Sequence, residues 1–600
     1  MARESSVFMP ADRDRTGPEP APRFLGDDFR RALGLVVLIV AVFAAFLPAL
    51  QNGFVLWDDD MNLVENLDYR GLSPAHLRWM FTTFHGGQYQ PLTWLSFGLD
   101  YVLWEMNPAG YHLTSLLLHA ANAVLAYRLI RVLLRRTLPD REALAAALAG
   151  ALFFAIHPLR VESVAWATAR RDVLSGFFYL VTLLAYVRMV DEKERGGPWW
   201  PWLGASLGCF VLSLLAKTWG VTLPLVLLAM DVYPLRRFAA TSRSSRAGVL
   251  AEKAAFGLIA AGGIAVTLRM LHEFTDVKGL AEHGLVARAA QAAYGLWFYV
   301  SKTLVPLGLS PLYMIEPTLD PTRPRYVVCG LAVLAAGGAL IALGRRWPWA
   351  LAAAACYAII VGPMLGFMQT GPQIAADRYT YLACLPWAFL LAAGLRRRPL
   401  LLPVAAVGLV LLGVLTWRQT RIWKDTQSLW NHALRVDPEN YFAHLYLGWE
   451  RQVHGDFDGA YSHYGEALRI NPKFTFAYNN RGSLLQTRGQ YEAAMADFAA
   501  AIEANPLYES PYLNRGTLRL ARGDLDGAIA DLSEAIRLVP SDGRPYNNRG
   551  LARREKNDVA GAAADFHEAL ARFPPGTPGR QMIEGNLADL EESAGKRAPD

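Results

Sequence analysis

Cysteine is scarce in this chain. Four occur among 600 residues, Cys209, Cys329, Cys356 and Cys384, each in or beside an apolar segment. Their spacing fits neither a disulfide framework nor a zinc site, so they read as packing residues. Glycine-rich phosphate loops are also missing, which argues against a nucleotide bound on a strand–loop–helix turn. No one sign of charge dominates: 59 Lys and Arg stand against 53 Asp and Glu, a net charge of +6. The arginines flank apolar runs, where positive charge sets membrane topology. Nucleic acid is therefore not an expected partner.

The chain is rich in long apolar runs up to about residue 420, and polar after it. This predicts an all-α protein with a polytopic membrane half (31–420) and a soluble helical half. Residues 1–30, polar and rich in proline, read as a disordered cytoplasmic tail. Spans are expected at about 33–50, 111–134, 143–157, 173–190, 199–216, 219–232, 250–270, 325–343, 347–366, 380–394 and 399–417. The aromatic stretch 286–307 is a twelfth candidate. If it crossed, Arg345, Arg346 and Arg396 to Arg398 would fall outside; lying along the interface or re-entering, it leaves every basic cluster inside. Eleven spans are therefore expected. On that count the loop 51–110, the segment 157–172, Lys217 and the segment 366–379 share the face opposite the cytoplasm, and the soluble half emerges there too.

That soluble half repeats itself. Pro438, Pro472, Pro506, Pro540 and Pro574 recur every 34 residues; Gly448, Gly482, Gly516 and Gly550 keep the same spacing, as do Ala460, Ala494, Ala528 and Ala562. Small residues where two helices cross, and a proline closing the second, resemble the tetratricopeptide repeat. The repeats are expected over 421–576, beginning with a half-repeat at 421–437, with a capping helix and tail over 577–600. Asn480, Asn514 and Asn548 share one register position, which Tyr446 holds in the first repeat. An asparagine ladder on the concave face would both donate to and accept from a peptide backbone. It would equally suit hydrogen bonding between helices of the stack.

The chemistry concentrates in four stretches: Trp57-Asp58-Asp59; His157-Pro158-Leu159-Arg160-Val161-Glu162, continuing to Arg170-Arg171-Asp172; Ala216-Lys217-Thr218-Trp219; and Asp377-Arg378-Tyr379. Asp58, Asp59 and Asp60 are three adjacent carboxylates beside a span, and each opposes ionisation of the others, so a raised pKa or a cationic partner is expected. In this order, ahead of tetratricopeptide repeats, the stretches closely resemble the transmembrane and tetratricopeptide-repeat-containing protein O-mannosyltransferases, over about residues 33–574.

That resemblance implies a GT-C fold, with an acidic pair in the first outer loop and a polyprenyl-phosphate-linked sugar as donor. Asp58 and Asp59 fall on the family's acidic pair, and Asn66 and Asp68 on the Asn-x-Asp after it. One carboxylate would take the acceptor's proton. Arg170, Arg171, Lys217 and Arg378 would hold the departing phosphate, Arg170 and Arg378 foremost, with His157, Glu162 and Asp172 supporting them. Asn480, Asn514 and Asn548 would bind a polypeptide acceptor, with transfer of a hexose such as mannose to Ser or Thr hydroxyls. No cofactor or metal is implied, although the carboxylates would also suit a divalent cation. The Ala/Leu/Arg-rich composition suggests a bacterial inner membrane with a periplasmic arm, or the endoplasmic reticulum in a eukaryote. Blander readings stand beside these: a solvated acidic turn, arginines anchored at headgroups, a snorkelling Lys217 and a helix-capping His157. Other acceptors, cell-surface glycan or glycolipid, or a repeat scaffold without catalysis, are the alternative functions.

Overall fold

The computed structural model describes residues 24–136, 140–238, 243–274, 284–316, 319–367, 371–573 and 576–595. Nearly all of them are helical; the one described sheet is an antiparallel pair, Tyr313–Met314 with Gln373–Ala375. In the first half, α1 (Phe24–Phe46) enters the acidic loop through a 3₁₀ turn, and α2 (Pro74–Thr82) and α3 (Pro91–Trp104) complete that loop. Then follow α4 (Pro108–Arg135), α5 (Asp140–Ala155), α6 (Val161–Ala165), α7 (Arg170–Glu194), α8 (Trp200–Ala216), α9 (Leu223–Val232) and α10 (Arg243–Phe274). The half ends with α11 (Leu285–Leu304), α12 (Pro324–Leu343), α13 (Pro348–Val361), α14 (Cys384–Arg397) and α15 (Leu402–Thr420). Proline opens α2, α3, α4, α12 and α13 at the first helical position, where its fixed φ helps and its missing N–H costs nothing. Ser73 and Asn107 cap α2 and α4 by accepting from His76 N and Ala109 N.

Residues 24–30 belong to α1, so the expected disordered tail is helical at its end; residues 1–23 lie outside the described residues. Asp28 near the start of α1 suits the positive end of the helix dipole. By length and composition, six described helices can cross a membrane, around α1, α4, α7, α10, α12 and α15, and α5 with α6 makes a seventh if its 55° bend is one span. Eleven full-length spans are thus not what the fold presents. The runs at 199–216, 219–232 and 347–366 lie on apolar helices of 10–17 residues, and 380–394 on the 14-residue α14. Helices of that length rise about 15–25 Å, short of the roughly 30 Å hydrocarbon core. Their early ends leave breaks in the backbone, which in a membrane protein are tolerated where protein or a cavity surrounds them. Most of the stretch 286–307 lies on α11, which ends at Leu304 and is not among the six.

The centre of the membrane half is α4 against α5 and α7, with α14 behind α5. Gly150 of α5 permits that approach: a Cβ there would stand 2.5 Å from the Ala388 carbonyl oxygen. His119 pins three elements, its Nδ1 2.8 Å from the Tyr381 hydroxyl and its Nε2 2.8 Å from the Ala155 carbonyl. By contrast α12 and α15 expose Val328, Leu331, Leu334 and Val404, Val407, Val410, the apolar surface that lipid would cover.

The second half is a stack of antiparallel helix pairs: α16 (Thr426–Val436), α17 (Tyr441–Val453) with α18 (Phe457–Ile470), α19 (Thr475–Thr487) with α20 (Tyr491–Ala504), α21 (Glu509–Ala521) with α22 (Leu525–Leu538), α23 (Arg544–Glu555) with α24 (Val559–Leu570), and α25 (Pro578–Gly595) over the end. The periodic glycines have a steric cause. A Cβ at Gly448, Gly482, Gly516 or Gly550 would stand 2.6–2.9 Å from Tyr464, Phe498, Leu532 or Phe566. A second periodic feature escaped the reading of the sequence: Arg481, Arg515 and Arg549 each grip Asp497, Asp531 and Asp565 through two hydrogen bonds of 2.7–3.0 Å. Such bidentate pairs fix the angle within a repeat.

The two halves are joined closely. Gly53 N donates to the Lys424 carbonyl (2.9 Å), Leu56 N to Thr426 Oγ1 (3.0 Å) and Trp430 Nε1 to the Leu56 carbonyl (3.1 Å). Trp57 packs edge-on against both Trp430 and Tyr446, which stack on each other at 4.7 Å and 8°. Trp166 stacks on Trp423 at 5.8 Å. A stack of buried aromatics of this size holds the arm at a set angle to the acidic loop.

Candidate active site at the acidic loop

The three carboxylates point to different partners because the backbone turns sharply under them. Trp57 N closes a tight turn on the Val55 carbonyl (2.7 Å), Asp58 sits in the left-handed region at φ 65°, and a π-helical turn runs over Asp60–Val64. Aspartate tolerates a positive φ better than most residues, at a cost on the order of 1 kcal/mol. Asp59 points inward and is fully buried. Its Oδ1 accepts from Thr168 N (2.9 Å) and Thr168 Oγ1 (2.6 Å), its Oδ2 from Val55 N (3.1 Å). Burial pushes it up to about 7 against the pull of those donors.

Asp58 behaves differently. Its carboxylate accepts no hydrogen bond among the described residues, is surrounded by protein and yet keeps partial solvent access. Burial raises its pKa, while the guanidiniums of Arg171 and Arg378 pull it down. It is an acceptor-only group facing cations with its lone pairs unused. Asp60 stands further out, pushed up by burial to about 6.

The cations divide unexpectedly. Arg170 and Arg171 are neighbours in the first turn of α7, about 100° apart around the helix. Arg170 is fully buried away from the acidic loop. It pairs with Asp100 of α3, donates to the Tyr111 carbonyl (2.6 Å) and Ser115 Oγ (3.2 Å), and lies over the Phe97 ring. Arg171 instead reaches only the amide oxygen of Gln88; its Nε has no partner, and it is in no ion pair among the described residues. Lys217, in the break between α8 and the next turn, pairs with Asp172 and lies 3.4 Å from the Trp219 ring centre. Burial lowers it to about 7, with Asp172 opposing the shift. Arg378 is held at both ends by Glu162, which also accepts from its backbone N (2.7 Å). The Arg378 guanidinium lies over the rings of Trp166 and Tyr379.

So the fold gathers Asp58, Arg171, Lys217, Arg378, Asp172 and Glu162 into one buried cluster, and leaves Arg170 outside it. His157 also stands apart: its Nδ1 accepts from Leu159 N (3.3 Å) and its Nε2 faces the Thr303 carbonyl (3.0 Å), a capping role. Arg160, Asp100 and Gln88 were not singled out in the sequence. Arg160 is fully buried, donates to Thr380 O (2.8 Å) and Oγ1 (2.6 Å), and fixes the turn that carries Arg378. No group of three or more His, Cys, Asp or Glu disposed to hold a metal occurs among the described residues.

On the arm, the ladder is partly occupied with itself. Asn514 donates to Asn479 (2.9 Å), Asn548 to Thr517 Oγ1 (2.9 Å), and Asn480 accepts from Asn479 (3.3 Å). Each amide keeps unused donors or acceptors. Asn480 and Asn514, with Tyr446, Trp449, Phe476 and Tyr508, line a concave groove of about 390 Å³.

Comparison with known proteins bears on this cluster and on the arm. Tetratricopeptide repeat models match residues 477–506 and 513–577. Protein O-mannosyl-transferase Tmtc2 of Drosophila melanogaster is 34% identical over 201 residues, 32% of this chain and 20% of that one. Over about a third of its length the chain is therefore similar to a protein O-mannosyl-transferase. Protein O-mannosyl-transferase Tmtc3 of the same fly is 27% identical over 249 residues, covering 38% of this chain and 26% of that one, and human TMTC2 is 32% identical over 202 residues, 32% and 23%. The chain thus spans about a quarter of the length of these relatives. Among solved structures, MamA aligns with 24% of it at 25% identity and a TM-score of 0.23, too low to bear on the arrangement.

Proposed function

We propose that this chain is a membrane glycosyltransferase that moves a sugar from a polyprenyl-phosphate donor to Ser or Thr hydroxyls of polypeptides. The observation that carries the reading is Asp58: a partly accessible carboxylate that accepts no hydrogen bond among the described residues and feels the positive charges of Arg171 and Arg378. The kinship with protein O-mannosyl-transferases supports the class of chemistry. Asp58 is the base of the acidic pair, and Asp59 holds the loop.

In the reaction the acceptor oxygen forms a bond to the anomeric carbon while the bond from that carbon to the phosphate oxygen breaks, its electron pair leaving with the phosphate. The acceptor's proton passes to Asp58, general-base help of about 10²–10⁴-fold. Attack opposite the leaving group inverts the anomeric centre. The Asp58 carboxylate also favours the positive charge that develops on the ring. Arg171, Lys217 and Arg378 receive the departing phosphate. They are already fixed by Gln88, Asp172 and Glu162, so little reorganisation is needed as charge develops. Arg171 has the most binding capacity left. The short helices α8, α9, α13 and α14 are read as partial spans of the eleven-span GT-C-like bundle. The site then lies at the periplasmic boundary of a bacterial inner membrane, on the side of the arm.

Purified protein in nanodiscs tests the reading directly. With a polyprenyl-phosphate hexose and a Ser/Thr peptide, mass spectrometry should find one hexose on a hydroxyl and free polyprenyl phosphate in equal amount. Donor consumed with hexose on a glycan or lipid and never on peptide would assign the acceptor elsewhere; no donor consumption by folded protein would reject the enzyme.

A further inference from the structure

Tyr446 is the residue at which the arm and the acidic loop meet. It stands in the register of Asn480, Asn514 and Asn548, so the ladder of the concave face ends on it. Its ring is clamped, stacked on Trp430 at 4.7 Å and 8° and edge-on to Trp57 at 5.7 Å. Trp57 is the residue before Asp58. The Tyr446 hydroxyl makes no hydrogen bond among the described residues, and the charges of Asp58 and Asp60 both act on it. The same side chain is part of the wall of the groove lined by Trp449, Asn480, Tyr508 and Asn514. One ring therefore borders the groove on one side and Trp57, the neighbour of the base, on the other, and its hydroxyl has no hydrogen-bond partner among the described residues.

We infer that Tyr446 positions the acceptor: an extended polypeptide lies along the groove of the first three repeats and crosses Tyr446, whose hydroxyl binds its backbone beside the Ser or Thr that faces Asp58. This rests on the reading of the chain as a protein glycosyltransferase. The occupant is an extended peptide for two reasons. The groove offers amides with spare donors and acceptors every repeat, alternating with aromatic faces, which suits backbone and side chains in turn. Its wall also includes Tyr446, whose ring packs against Trp57 of the loop that bears the base, so a chain held in the groove is delivered to one place. The first repeat would then be a wall of the active site, and the acceptor hydroxyl would be selected by its distance along the chain from the part gripped by the ladder.

The test uses the full-length protein with a polyprenyl-phosphate hexose and two acceptor peptides, a Ser/Thr peptide of about four residues and one extended by about ten. Tyr446→Phe keeps the stack and removes only the hydroxyl. It should raise the KM of both peptides about 3- to 10-fold, the effect of one hydrogen bond, with kcat and the donor KM unchanged. Asn514→Ala should raise the KM of the long peptide alone. Hydrolysis of the donor to water, measured without peptide, should be equal in wild type and Tyr446→Phe, which a merely structural defect would not spare. Wild-type KM in Tyr446→Phe, or a loss of donor hydrolysis equal to the loss of transfer, overturns the inference while leaving the glycosyltransferase reading in place. A wild-type enzyme that turns over donor but glycosylates neither peptide overturns both.

Discussion

Asp58 and Asp59 are adjacent, chemically identical and predicted to fail in opposite ways. In Asp59→Asn the side chain keeps its shape but offers one acceptor oxygen to three donors, Thr168 N, Thr168 Oγ1 and Val55 N. Whichever way the amide turns, its NH₂ opposes at least one buried N–H. A stranded buried donor costs about 1–3 kcal/mol, and the loop loses the tie that sets Asp58. In Asp58→Asn no hydrogen bond among the described residues is lost, and asparagine accepts a φ of 65° as readily as aspartate. Stability should therefore fall less than in Asp59→Asn, while transfer falls about 10²–10⁴-fold with loss of the base. The assay is paired: unfolding of each variant in the same detergent, and hexose transfer by each at a temperature where both are folded. If Asp58→Asn unfolds early and transfers normally, or Asp59→Asn is as stable as wild type and dead, the assignment of the two carboxylates is wrong.

Three further outcomes follow from the same geometry. Arg171→Gln should raise the donor KM with the fold intact. Arg170→Gln should instead destabilise the protein by about 3–5 kcal/mol, because Asp100 is left buried and uncompensated; donor titration and thermal unfolding separate the two. The rate of transfer should be bell-shaped in pH. Asp58, raised by burial, is protonated and lost as a base when pH falls, and Lys217 loses its charge as pH rises through about 7. Lys217→Arg, which stays charged, should remove the alkaline limb of the profile. Trp430→Ala should loosen the joint between the halves, exposing residues 421–440 to protease and reducing transfer to peptide more than hydrolysis of donor.

Much of the arm was legible because a repeat displays its steric rules several times over. Gly448, Gly482, Gly516 and Gly550 each meet a large side chain, so the requirement appears as a period. Trp423, read as part of a half-repeat, lies in the joint itself, stacked on Trp166. The acidic loop was legible as a location but not as roles. Which carboxylate points inward depends on a left-handed residue and a π turn, neither of which has a sequence signature here. The two arginines of α7 show the same limit: a helix separates neighbours by about 100°, so Arg170 meets Asp100 and Arg171 meets Gln88, partners far away in the chain. The span count rested on apolar runs, and α8, α9, α13 and α14 are apolar but short. Composition cannot distinguish a helix that crosses a membrane from one that stops at a polar cavity. The ladder asparagines were recognised by register, but their bonds to Asn479 and Thr517 depend on rotamers.

The central claim is that Asp58 is the base of a glycosyl transfer to protein hydroxyls. Its most direct measurement is intact-glycopeptide mass spectrometry of envelope proteins from cells carrying wild type, Asp58→Asn or no copy. Hexose on Ser or Thr is expected with wild type alone, although the variant is present in the membrane at the same level. Identical glycopeptides in all three would contradict it.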